Sequence, residues 1–524
     1  MMSLQVLEVK QMNSKNSSRK WLALAALTLG VLAVGLDVTV LSIALPTLAV
    51  AFRASESDLQ WFSSGYALML AAGMLPAGVL GDRFGRKRIL LGALILFGLG
   101  SIVCAFSVNS GEFIAGRVIL GAAGAAIVVM ALSVLTVLFS EEERPRAIGI
   151  WAAANFIALP IGPIFGGWLL SNFWWGWIFL MNVPVAVLGM VAVIALVPES
   201  RSDERPALDP LGMLLASAGL AGVTYGLIEL GRNGWTDRTS LTVLVAGVAV
   251  VVAFFMWERY LTSRPGGRPL IDLSLFRSRG FTWGMILAAL GGMALIGLVF
   301  TLPQYSQGVL GLDPQGSGVR LLPIILGLIA GAVPADRVAA RVGAKFTVAT
   351  GFAITTAGLL LAATTTVDSN AWFVTAWEVL IGFGMGVGFA TAASAALKTV
   401  PSDKSGVASA LLQAMQKVGA PFGSAILGSV VVTAYRANLS LGGLPPSIAA
   451  VVKLSVFAGV AAAKRLHSPA LLESVRHAFV QGMDDAMLVS AAIAAIATVL
   501  ALIFLPGRPT LAARTEAGAV QEVA

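Results

Sequence analysis

Four ionisable side chains stand inside long apolar runs of this sequence: Asp37, Arg117, Glu378 and Lys417. A carboxylate at the centre of a bilayer costs about 2.5–3.5 kcal/mol on insertion scales, so it has to face a cavity or a partner. Burial also makes its charge costly, and a carboxyl in that position can take up and give off a proton. At about 1.5 Å of rise per residue and about 30 Å of hydrocarbon, all four residues fall about 8–12 Å below one and the same surface. Arg117 is thereby placed to partner Asp37. Glu378 and Lys417 can share a second site, or form an ion pair that only satisfies itself. His467 and His477 both lie in one long polar loop, so proton traffic within the bilayer falls to carboxylates. Cys104 is the single cysteine, which leaves no intrachain disulfide and no thiolate metal cluster. No Gly-x-x-x-x-Gly-Lys-Ser/Thr run occurs, so ATP is not the direct energy source. The pattern is that of a carrier without metal or cofactor, not of an enzyme.

The elements that hold these residues follow from composition. Of 524 residues 57% are hydrophobic and 12% charged, against roughly 25% charged in a soluble domain, so the chain is solvated by lipid. A span needs about 20 mostly apolar residues, and fourteen such runs follow one another, the first near 22–45 and the last near 486–505. A further run, 448–463, is short and carries Lys453, and reads as a surface or re-entrant helix. The net charge of +8 reflects topology, not nucleic-acid binding. Lys and Arg crowd alternate connectors, as at Arg83, Arg86, Lys87 and Arg88, which places these connectors and both termini in the cytoplasm. The first apolar run follows Arg19-Lys20, is too long for a signal peptide, and reads as an uncleaved helix in the cytoplasmic (inner) membrane.

Charged connectors divide the chain. Residues 1–20 read as a cytoplasmic tail, 21–197 as a six-helix bundle, and 198–280 as a linker holding two extra spans. Residues 281–505 read as a second six-helix bundle with a long outer loop at 435–483, and 506–524 as a second tail. Near the outer and inner ends of spans, Glu229, Glu258 and Asp485 read as snorkelling anchors. The two sixes look like a repeat. Arg117-Val-Ile-Leu-Gly121 aligns with Glu378-Val-Leu-Ile-Gly382, Gly162-Pro163-Ile-Phe165-Gly166 with Gly419-Ala-Pro421-Phe422-Gly423, and Arg83-Phe-Gly85-Arg-Lys87 with Arg341-Val-Gly343-Ala-Lys345.

Between the second and third runs stands Gly78-Val-Leu-Gly81-Asp82-Arg83-Phe-Gly85-Arg86-Lys87-Arg88. It resembles the loop signature of the major facilitator superfamily, and the resemblance implies conformational gating by Gly78, Asp82, Arg83, Gly85 and Arg86. Glycines there let helix ends approach, and Asp82 can meet basic residues or a helix N-terminus across the seam between the bundles. Leu36-Asp37-Val-Thr39 with Ala44-Leu45-Pro46 resembles the first-helix signature of the fourteen-helix drug:proton antiporters of that superfamily. Arg117 matches the family's fourth-helix arginine, with Leu120 where the family has glutamine. The fifth run carries Ala158-Leu-Pro160-Ile-Gly162-Pro163-Ile-Phe-Gly166-Gly167, which resembles the antiporter motif, with Ala158 in place of its first glycine. Small residues there permit tight helix crossing, and the prolines bend the helix. Trp175-Gly-Trp177 through Asn182-Val-Pro184 resembles the start of the family's sixth helix, and Asp209-Pro-Leu-Gly212 that of its seventh.

The resemblance spans about Trp21 to Leu505 and implies an all-α integral membrane protein of the major facilitator fold, with 14 transmembrane helices arranged as two six-helix bundles plus two linking helices. It further implies a monomeric proton-coupled exporter of lipophilic cationic or neutral drugs or antiseptics, contributing to antibiotic resistance, with Asp37, Arg117 and Glu378 in proton coupling. A dedicated exporter of one endogenous metabolite or antibiotic is the alternative, and a proton-coupled uptake symporter is disfavoured by the motif of the fifth run. Quaternary-ammonium pumps resemble the chain most through the sixth run, but at their acidic positions this sequence has Ser64, Leu328, Gln413 and Lys417, which argues against doubly charged cations. Trp61, Tyr66, Gln304, Tyr305, Gln307, Gln413 and Lys417, with Met130 and Met415, can form the wall of a substrate cavity open to many small amphipathic molecules.

Overall fold

Lipid offers no hydrogen-bond partners, so a chain this apolar has to satisfy its backbone within helices. The computed structural model describes residues 2–140, 143–201, 209–234, 236–264, 269–271, 273–398, 400 and 405–506, and among them no strand occurs. The helices are α1 (Met2–Phe52), α2 (Glu56–Phe84), α3 (Arg86–Phe106), α4 (Ser110–Leu138), α5 (Arg144–Asn172), α6 (Trp177–Leu180), α7 (Asn182–Leu196), α8 (Pro210–Asn233), α9 (Arg238–Ser263) and α10 (Arg279–Gln304). A π-helical turn, Tyr305–Val309, leads to α11 (Pro314–Arg320), α12 (Leu322–Val342), α13 (Ala344–Ala362), α14 (Ala371–Lys398), α15 (Ser405–Asn438), α16 (Pro446–Val452), α17 (Val456–Arg465) and α18 (Pro469–Phe504).

Eleven of the spans are long and apolar enough to cross a bilayer, twelve when the two parts of α2 are taken together across a 48° bend. Pro76 opens the second part; it has no N–H to give, and its ring crowds the preceding turn. The expected fourteen are thus not reached among the described residues. Helices α5 and α15, 29 and 34 residues long, stand at the fifth and thirteenth places of the expected series. Helices α16 and α17, of 7 and 10 residues, are too short to cross. Two local expectations change. The expected tail 1–20 continues the helical backbone of α1 from Met2, because it holds no Gly or Pro and many good helix formers. Glu258 does not snorkel: it is fully buried, and Oε2 accepts the Ile271 amide at 3.0 Å.

Small residues set which helices touch. Gly162 of α5 lies directly on Thr39 of α1 and Gly166 on Val40, while Gly419 of α15 lies on the Ala289 carbonyl of α10 and Gly423 on that of Met293. In the same manner Gly121 of α4 rests on the Tyr66 carbonyl of α2, and Gly382 of α14 on the Ile324 carbonyl of α12. The turns after α2 and α12 also match: Gly85 has φ +112° and Gly343 φ +94°, a backbone that side chains with a Cβ rarely adopt.

The two sets of helices meet at the end that carries α16 and α17. Ser64 Oγ and Ser424 Oγ are 2.6 Å apart, and Gly428 packs on the Gln60 side chain. Gly318 of α11 sits on the Pro163 carbonyl of α5, and Gly167 of α5 on the Pro314 carbonyl. Ser171 Oγ donates to Asp313 at 3.3 Å, Gln307 Nε2 to the Ile43 carbonyl at 3.0 Å, and the Glu56 amide to the Leu454 carbonyl at 3.0 Å. Helices α8 and α9 cross tightly at Gly222 and Gly247. They flank the α2–α15 contact through Ser429 Oγ, which donates to the Leu227 carbonyl at 2.9 Å, and through the rings of Trp61 and Tyr225, 5.9 Å apart.

Candidate functional site

Asp37 and Arg117 meet in the middle of the first set of helices, where they are 2% and 1% exposed. Arg117 Nη1 donates to Asp37 Oδ2 at 2.5 Å, and Asn182 Nδ2 of α7 donates to Oδ1 at 3.4 Å. Arg117 Nε donates to the Phe62 carbonyl of α2 at 3.0 Å, and its guanidinium carbon lies 4.4 Å from the centre of the Tyr66 ring. Tyr66 OH in turn donates to the Val34 carbonyl at 3.2 Å. A buried ion pair persists only when its remaining donors and acceptors are also met, and here α1, α2, α4 and α7 all contribute. The face of an aromatic ring adds an attraction for the guanidinium. The ion pair is thereby tied to the packing of four helices.

The small residues of α5 hold α1 in place. Ala158 faces Gly35, Gly162 faces Thr39 and Gly166 faces Val40, and Thr39 Oγ1 donates to the Ala158 carbonyl at 3.4 Å. Pro163 and Gly167 point the other way and form the contact with α11. One helix therefore touches the Asp37 helix on one side and the second set of helices on the other. The Pro160 side chain lies outside the described ones.

At the turn between α2 and α3, Asp82 in the last turn of α2 pairs with Arg86, the first residue of α3, at 2.8 Å. Gly81 lies on Met130 of α4, Gly78 faces Val129, and Arg83 lies over Phe84 at 5.6 Å. Glu199, just after α7, closes the turn: it accepts the Lys87 amide at 3.1 Å, lies 3.5 Å from Arg88 and packs on Gly85.

In the second set of helices Glu378 is fully buried and neither oxygen has a hydrogen-bond partner among the described residues. The Lys417 and Gln413 side chains lie outside the described ones, and Arg320, the last residue of α11, donates from Nη2 to the carbonyl of Ala371, the first residue of α14, at 3.2 Å. The other candidate cavity residues are dispersed. Trp61 faces Tyr225 of α8, Tyr66 supports Arg117, Gln304 Nε2 bonds the Phe300 carbonyl at 3.3 Å, Tyr305 OH donates to the Thr366 carbonyl at 3.4 Å, and Gln307 ties the seam. Asn182 was named from sequence only within the sixth-helix resemblance, with no role at the site, and Glu199 and Arg320 were not singled out. Asn182 carried a signal, a lone amide in an apolar run, whereas Glu199 and Arg320 sit in connectors where charge is ordinary.

Comparison with known proteins gives the following. The family model of the Major Facilitator Superfamily matches residues 27–424. The tetracenomycin C resistance and export protein of Streptomyces glaucescens is 32% identical over 94% of this chain and 93% of its own. The multidrug efflux pump LfrA of Mycolicibacterium smegmatis is 32% identical over 92% of this chain and 97% of its own. Among solved structures, a bacterial homologue of the human lysosomal transporter Spinster, inward-facing and unoccupied, superposes with a TM-score of 0.64 at 18% identity, covering 94% of this chain and 99% of that one.

Proposed function

The chain belongs to the Major Facilitator Superfamily, and from that premise we propose that it exports lipophilic cationic or neutral drugs in exchange for protons. The observation that carries this reading is the Asp37–Arg117 pair, buried, bonded by Asn182 and held on a helix packed against the small-residue face of α5. Relatives of nearly full length named for multidrug efflux and for export of an antibiotic support it.

The contacts support one mechanism. With Asp37 charged, Arg117 is held and α1, α2, α4 and α7 share one tie. A proton on Asp37 releases Arg117, removes the ion pair and favours a different packing of α1 on α5, hence of α5 on α11. Alternating exposure of a cavity between the two bundles would then couple proton entry to drug exit. The bundles are 21–197 and 281–505, joined by 198–280, with Glu378 as the acidic residue of the second. The protein would work as a monomer in the cytoplasmic membrane with both termini inside, energised by the proton gradient without a cofactor. Asp82, Arg83, Gly85, Arg86 and Gly78 would set the balance between inward and outward states.

Everted vesicles offered cationic, neutral and anionic dyes in turn test the reading. Dye accumulation that collapses the pH gradient supports antiport; dye entry that carries protons in the same direction refutes it. The relative named for tetracenomycin C favours a second reading, a dedicated exporter of one endogenous metabolite or antibiotic, which a panel limited to a single accepted substrate would establish.

A further inference from the structure

Glu56, Gln60 and Ser64 stand one turn apart along α2. Residues spaced by four share one face of a helix, and this face meets the second set of helices. Ser64 Oγ and Ser424 Oγ of α15 are 2.6 Å apart, and Ser424 Oγ itself donates to the Pro421 carbonyl at 3.2 Å, which leaves Ser64 as the donor between them. One turn nearer the α16/α17 end, Gln60 lies against Gly428: a Cβ on that glycine would come within 2.8 Å of Gln60 Cγ, Cδ and Nε2. The Glu56 amide closes the row on the Leu454 carbonyl at 3.0 Å. Ser64 with Ser424 and Gln60 with Gly428 are thus successive rungs between two antiparallel helices of different bundles.

The two rungs differ in kind. The bond from Ser64 to Ser424 exists only while the helices touch. The Gln60 side chain is 1% exposed, and neither its Oε1 nor its Nε2 has a hydrogen-bond partner among the described residues. An amide that gives up solvent without gaining a partner raises the free energy of the arrangement that buries it. Parting of the helices returns that amide to solvent, because Gln60 stands one turn from the end of α2. The next residue, Trp61, meets Tyr225 of α8 with ring centres 5.9 Å apart, and Leu227 of α8 accepts from Ser429 Oγ of α15 at 2.9 Å. Helices α8 and α15 therefore stand together across from α2.

We propose that this face of α2 is the outer gate of the carrier and that two of its residues bias the gate in opposite senses: Ser64 latches it shut, and Gln60 drives it open. The proposal rests on the export reading, in which the bundles part at the α16/α17 end once in each cycle. A latch without the amide would release slowly, and the amide without a latch would keep the gate from closing. Set on one face, the two hold the closed and parted arrangements close in free energy, as a carrier that visits both on every turnover requires. Gln60 and Ser64 are positioning residues in this scheme and touch no substrate.

Spin labels at Val108→Cys in the first set of helices and Ala437→Cys in the second, both exposed, with Cys104→Ala, report the gate in the full-length protein in lipid discs, without and with a dye that it exports. The parent should show a short and a long distance. Gln60→Leu, close to the parent in size, should lower the ratio of long to short about tenfold, and Ser64→Ala should raise it about threefold, as expected for loss of an unmet polar group and of a net hydrogen bond. The double variant should fall between them. In vesicles, Gln60→Leu should slow efflux while equilibrium binding of the dye stays near the parent's. A folding fault would move both single variants the same way, so opposite shifts carry the proposal. Shifts of one sign, no shift in Gln60→Leu, or a single distance in a parent that exports dye overturn it, and proton-coupled efflux by that parent leaves the export reading standing. A parent that exchanges no protons for dye overturns the export reading instead, while the distances still decide the gate.

Discussion

Asn182 Nδ2 stands 3.4 Å from Asp37 Oδ1, the oxygen that Arg117 leaves free. The amide completes the shell of a buried carboxylate, and it does so from α7, a helix the ion pair alone would not engage. A hydrogen bond to a charged group is worth about 1.5–3 kcal/mol. Asn182→Leu should therefore lower uphill dye efflux roughly tenfold or more, at 1.4 kcal/mol per tenfold, with expression unchanged. Efflux equal to the parent's would show that the amide is a bystander.

Asp37→Asn keeps the shape of the side chain and removes its charge and its proton site. Uphill efflux should vanish while insertion and downhill dye flux persist. The two fluxes, measured in the same vesicles with and without a pH gradient, separate loss of coupling from loss of the protein.

A Cβ on Gly162 would collide with Thr39, whereas one on Gly92 meets nothing within 4 Å. Overpacking of this kind costs typically about 1–3 kcal/mol. Gly162→Ala should lower the thermal midpoint in detergent and slow efflux, and Gly92→Ala should leave both unchanged or slightly improved. Equal behaviour of the two variants would remove the close α1–α5 contact from the account.

Asp82→Asn frees Arg86 from its 2.8 Å partner and should reduce turnover more than substrate affinity. Glu199→Gln, which weakens the closure of the same turn on Gly85, should reproduce part of that loss. Binding of a fluorescent substrate at equilibrium, set against its rate of efflux, distinguishes turnover from affinity.

Lys20 Nζ lies 2.6 Å from both carboxylate oxygens of Glu143, and this hydrogen bond holds the Glu143 carboxyl below its ordinary value of 4.5. A lowered carboxyl contributes stability above that ordinary value and loses it as pH falls through the lowered one. The tie between α1 and the start of α5 should thus weaken only in acid. In Glu143→Gln the thermal midpoint should fall less steeply on acidification than in the parent, and identical slopes would show that the pair adds nothing.

Much of this architecture is legible in the residues themselves. A helical membrane fold follows from apolar runs with charged connectors, and the meeting of Asp37 with Arg117 from two unlike charges at one depth. The surroundings of Glu378 were not legible in that way. Lys417 shares its depth by counting along helices, but its side chain lies outside the described ones, and both Glu378 oxygens stand without a hydrogen-bond partner among the described residues. Trp61 and Tyr66 read as cavity wall because aromatic residues suit one; the structure turns the first towards α8 and gives the second to Arg117, and only the packing of neighbouring helices decides such directions.

Gly85 and Gly343 keep the same left-handed turn at matching places, while the buried residue between matched glycine contacts has changed sign, Arg117 in one half and Glu378 in the other. The turn and the charge therefore occupy separate positions, so a substitution at residue 117 or 378 alters what is buried without touching the turn at Gly85 or Gly343.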